Sequence, residues 1–112
     1  MVNLVVSVRD RVEGAHYVGR NRSSALGNPF KVGRHGSRSE VVALYRSWLW
    51  REVVQPGLSG QSCPAWHELL GLVARVRAGE SLVLECHCAP LLCHAEVILR
   101  CVEWLVSQDV AA

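Results

Sequence analysis

Ser81-Leu82-Val83-Leu84-Glu85-Cys86 is apolar at consecutive central positions. Side chains of a strand alternate between its two sides, so such a run needs cover on both. Buried strands of this kind belong to parallel sheets flanked by helices. Two further short runs fit that sheet: the β-branched Asn3-Leu4-Val5-Val6-Ser7-Val8 and the shorter His16-Tyr17-Val18-Gly19. Helical patterns lie between and after them. Ser37-Arg38-Ser39-Glu40 fits a capping box, in which the Ser oxygen and the Glu carboxylate each satisfy an orphan backbone N–H. Val41, Leu44, Tyr45, Trp48 and Leu49 then recur at helical spacing to about Val54, and Gln55-Pro56-Gly57 is expected to break the helix. A second helix should run from about Pro64 through Trp66, Leu69, Val73 and Val76, with Gly79 as its stop. A third should start between Pro90 and Cys93 and end near Ser107. The expectation is a single small α/β domain over residues 1–112, with a short, mostly parallel sheet flanked by about three helices.

An apolar content of 50% with 20% charged residues describes a globular chain rather than a disordered one. The apolar stretches are short and interrupted by Arg, Glu or Gly, which argues against a membrane span and a membrane partner. Met1-Val2-Asn3-Leu4 lacks the features of a signal peptide, so a cytoplasmic location is expected. There, five cysteines favour free thiols or metal ligands over a disulfide framework. The net charge of +2 is unevenly spread. Residues 1–38 carry seven basic residues against Asp10 and Glu13, while the remainder is net acidic. A basic N-terminal part attracts phosphates. The preference for Arg over Lys itself fits the codon usage of a GC-rich genome, but the clustering needs a separate explanation.

Cys86-His87-Cys88-Ala89-Pro90-Leu91-Leu92-Cys93-His94 concentrates three cysteines and two histidines at a strand-to-helix turn. Three readings compete. In the first, Cys93 and His94 occupy the first helical turn, where unpaired N–H groups and the macrodipole favour a thiolate or a bound anion. In the second, Cys86, Cys88, Cys93 and His94 bind zinc as a Cys₃His set, although the one-residue spacing of Cys86 and Cys88 is tighter than usual. In the third, the thiols are small core residues, as Cys101 is expected to be. His94-Ala95-Glu96 resembles the His-x-Glu of zinc deaminases, but the cysteines precede it instead of following it, which argues against that chemistry. Trp66-His67-Glu68 reads as a helix-surface pair.

A second constellation is the loop from Tyr17 to Phe30, with Gly19, Arg20, Arg22, Gly27, Asn28 and Pro29. Gly lets backbone approach a ligand closely, and Arg offers the fork geometry that phosphate accepts. Neither standard glycine-loop fingerprint is matched. Long irregular loops in compact domains tend to be functional.

Tyr17-Val18-Gly19-Arg20, Leu26-Gly27-Asn28-Pro29-Phe30, the Ser37-Arg38-Ser39-Glu40 helix start with Tyr45 and Trp48, and the Cys/His turn together resemble the bacterial and phage family known as domain of unknown function 4326. The resemblance runs from about Val5 to Trp104. It implies that Gly19, Arg20, Asn28, Pro29, Arg38, Cys88, Cys93 and His94 are signature positions, with no activity attached. The leading expectation is then a site shared by loop and turn, binding a phosphorylated small molecule such as a nucleotide. Gly19, Arg20, Arg22, Asn28, Arg38 and Cys88 would hold the ligand. Cys93 and His94 would serve a hydrolase or transferase reaction as nucleophile and base. The alternative is a zinc-stabilised module for nucleic acid or a protein partner. Low aromatic content and a small basic excess place nucleic acid second.

Overall fold

The computed structural model describes residues 4–7, 16–18, 25–26, 29–30, 33–85 and 94–108. Leu4–Ser7 (β1) and His16–Tyr17 (β2) both pair in parallel with Leu82–Glu85 (β3), which lies between them. Leu4 stands opposite Leu82 and His16 opposite Leu84. Leu82 and Leu84 are fully buried on one side of β3, whereas Val83 on the other is half-buried. The central strand is thus covered completely on one face and only partly on the other, where the sequence expects cover on both.

Helix α1 spans Arg38–Trp48, and its capping box forms as the sequence expects. Glu40 N–H donates to the Ser37 hydroxyl at 3.3 Å, and Ser37 N–H donates to Glu40 Oε1 at 3.0 Å. The Ser37 backbone bond, reinforced by the Ser37 side chain, holds the Glu40 carboxyl below its ordinary range. The expected break at Gln55-Pro56-Gly57 is corrected. The chain continues as a π-helical segment, Leu49–Val54, and then as α2, Gln55–Leu58. Gln55 N–H reaches back to the Trp50 carbonyl, the wider spacing of a π turn. Pro56 has no N–H to give, and its ring crowds the carbonyl one turn earlier; a widened turn before it relieves that conflict. Gly57 serves a close approach. A Cβ there would fall 2.2 Å from Trp66 Cδ2, so the indole closes onto bare backbone.

Helix α3 spans Pro64–Arg77 with Pro64 in its first turn, and Gly79, at φ +91°, ends it in the left-handed region. Helix α4 spans His94–Ser107 and packs against both α1 and α3. Tyr45, Leu49, Leu69, Val73, Ile98 and Leu105 meet in the core between them. Cys101 belongs to that core as expected: it is fully buried, and desolvation pushes its thiol up to about 12, which leaves it unreactive. No helix among the described residues is long and apolar enough to cross a membrane.

Candidate functional site

His94 is the first residue of α4 and is only 2% exposed. Its Nε2 lies 2.5 Å from the carbonyl oxygen of Val18. A carbonyl can only accept, so Nε2 carries the proton and the lone pair of the neutral ring sits on Nδ1.

A second helix makes a matching bond. The Tyr45 hydroxyl, on α1, donates to the carbonyl oxygen of Leu26 at 2.7 Å in a buried setting. The Tyr45 and His94 rings meet edge-to-face, with centroids 5.0 Å apart and planes at 68°. The two anchors are thus one packed unit. Val18 and Leu26 are themselves fully buried, and between them lie residues 19–25.

Helix α3 supplies a third hold. Glu68 Oε1 accepts from Ala25 N–H at 2.7 Å, while Oε2 sits 2.6 Å from His16 Nε2 on β2. One carboxylate therefore joins β2 to Ala25. The expectation of a helix-surface His67–Glu68 pair is corrected: His67 is exposed, but the Glu68 side chain is only 14% exposed and bridges two segments. Among the described residues no buried side-chain nitrogen or oxygen lacks a partner. Each such bond contributes about 1 kcal/mol net, and leaving a buried carbonyl without its donor costs about 1–3 kcal/mol. Three helices thus hold the described residues on either side of residues 19–24.

Of the sequence-derived site residues, His94 stands in this anchor, and Arg38 is the half-buried first residue of α1. Gly19, Arg20, Arg22, Asn28, Cys86, Cys88 and Cys93 lie outside the described residues, and with them three of the four ligands of the zinc reading. Among the described residues no group of three His, Cys, Asp or Glu side chains is placed to hold a metal ion. What the structure brings together are the flanks: His94 beside Cys93 in sequence, Val18 beside Gly19, and Leu26 two residues before Asn28.

Tyr45 and Glu68 were not among the residues sequence reasoning singled out as functional, yet each carried a signal. Glu68 follows Ala65 by three residues and precedes Leu72 by four, on the stripe α3 buries. A carboxylate on such a stripe needs a partner. Tyr45 falls between Val41 and Leu49 on the buried stripe of α1, and a buried phenol seeks an acceptor.

A family model described as Domain of unknown function (DUF4326) matches residues 6–104. The chain belongs to the DUF4326 family. No curated protein and no solved structure matches it. The matched span of this DUF4326 chain takes in the Gly/Arg loop, the Cys/His turn and all three anchoring side chains, Tyr45, Glu68 and His94.

Proposed function

We propose that this DUF4326 protein is a small α/β domain of the cytoplasm that binds a phosphorylated small molecule such as a nucleotide, and acts on it as a hydrolase or transferase. The observation that carries the reading is the His94–Val18 bond, which ties the residue after Cys93 to the residue before Gly19. Two blocks that lie far apart in sequence are thereby joined at their edges, as the halves of one site would be. In this reading Arg20, Arg22 and Arg38 hold the anionic group, with Gly19 allowing close backbone approach and Asn28 orienting it. Cys93 precedes His94 in sequence, and in this reading it lies at the start of the helix, where the N-terminus would favour a thiolate and the negative charge of a phosphate alike. Cys88 contributes a polar contact. His94 positions the residues before Gly19 through its Nε2–Val18 bond.

Isothermal titration of the untagged protein with nucleoside mono- and diphosphates and with pyrophosphate tests this. The expected result is saturable binding that falls tenfold or more in Arg20→Ala, with an unchanged melting temperature. Absence of saturable heat across the series, or an unchanged affinity in that variant, contradicts the reading.

A further inference from the structure

The seam between α1, the π-helical segment and α4 encloses a groove of about 690 Å³. Arg46, Trp50 and Arg51 line it from one side, and Glu96, Arg100 and Trp104 from the other. Arg46, Arg51 and Arg100 are exposed, and no carboxylate among the described residues forms an ion pair with any of them. Three guanidinium groups line this concavity against Glu96, and Glu52 lines the cavity beside it, so the basic groups outnumber the acidic ones.

The aromatic side chains add a second observation. Trp50 and Trp104 meet edge-to-face with centroids 5.0 Å apart, yet Trp104 remains 38% exposed. Of the three exposed large apolar side chains among the described residues, Leu44, Leu58 and Trp104, two lie along this seam. A second cavity, of about 240 Å³, adjoins this groove at Ser47 and Arg51 and is lined by Phe30, Leu44, Trp48 and Glu52. An indole pair thus lines one cavity and Phe30 and Trp48 line the other, with Arg51 lining both. The widened π turn contributes Trp50 and Arg51 to this surface, and π segments within helices recur at functional sites.

We propose that this groove binds single-stranded nucleic acid. Aromatic faces accept successive bases irrespective of sequence, and guanidinium groups between them take the linking phosphates. An acidic peptide would use the arginines but has no planar ring for each aromatic station. A free mononucleotide would fill one station and leave the other bare. The groove uses none of the loop or Cys/His residues, so it stands independently of the nucleotide reading above.

Fluorescence anisotropy of labelled decathymidylate across a salt series tests the proposal, with thymidine monophosphate and polyglutamate as competitors. The expected result is binding that quenches Trp fluorescence and weakens with salt with a log–log slope of about −2, from three phosphates neutralised. Arg100→Ala should flatten that slope by about 0.7, and Arg100→Lys should restore it. Trp104→Ala should weaken binding about tenfold and leave the slope unchanged. Arg20→Ala should leave decathymidylate binding intact, which separates failure of this proposal from failure of the loop reading. Absence of binding at low salt, or unchanged binding in all groove variants, overturns the proposal. Equal competition by polyglutamate, thymidine monophosphate binding as tight as the oligomer's, or loss of binding in Arg20→Ala does so too.

Discussion

His94 donates its Nε2–H to the carbonyl oxygen of Val18 across a sequence separation of 76 residues. The bond links the start of the last helix to the residue before Gly19. Its neighbour in space, the Tyr45–Leu26 bond, holds the backbone eight residues further along. A backbone carbonyl in a buried setting must find a donor, and here both donors are side chains of helices.

His94→Ala should therefore cost stability beyond the loss of one bond. It leaves the Val18 carbonyl without this donor and opens a cavity where the ring met Tyr45. The expected loss is about 2–4 kcal/mol, read from urea unfolding. A loss below about 0.5 kcal/mol would show that the anchor is not part of the folded core.

Tyr45→Phe isolates the hydroxyl, since the ring and its contact with His94 remain. A cost of about 1–2 kcal/mol is expected, with faster proteolytic cleavage within residues 19–25. Equal cleavage rates in the two proteins would mean that the Leu26 anchor does not restrain the loop.

The close approach at Gly57 makes a prediction of sign. If Gly57 only lowered helix propensity, Gly57→Ala would stabilise by up to about 1 kcal/mol. Because the new Cβ would meet the Trp66 indole at 2.2 Å, destabilisation by about 1–3 kcal/mol is expected instead, with an altered near-ultraviolet dichroism of the Trp bands.

The start of α1 should respond to acid. The Glu40 carboxyl is held below its ordinary value of 4.5, so folding favours the ionised form. Its contribution is present above that ordinary value and is lost as the pH falls through the lower, folded-state value. The stability difference between wild type and Glu40→Ala should accordingly shrink on acidification through that window. Ser37→Ala, which removes the N-cap itself, should cost about 1 kcal/mol at neutral pH.

Local signals were legible where the physics is local. The Ser37–Glu40 box, Pro64 and Gly79 each mark a helix end through a backbone requirement met within a few residues. Continuation through Pro56 was not legible, because it depends on a widened turn before the proline and on an indole from the next helix. The loop and the Cys/His turn stood out as blocks of unusual composition. What couples them did not, since a side chain bonding a distant carbonyl leaves no spacing in the sequence. Glu68 differs from the surface pair that Trp66-His67-Glu68 suggests because it lies on the apolar stripe of α3, which points inward, while His67 points out. The basic groove was hidden by the overall composition. Its aromatic and arginine side chains come from segments about fifty residues apart, and only the packing of α1 on α4 gathers them.

Hydrogen–deuterium exchange with and without a saturating nucleoside diphosphate tests the central claim most directly. The account predicts added protection in peptides covering residues 19–28 and in peptides covering residues 86–94, with both effects lost together in Arg20→Ala. Protection confined to one of the two segments, or to neither, would contradict a site shared by loop and turn.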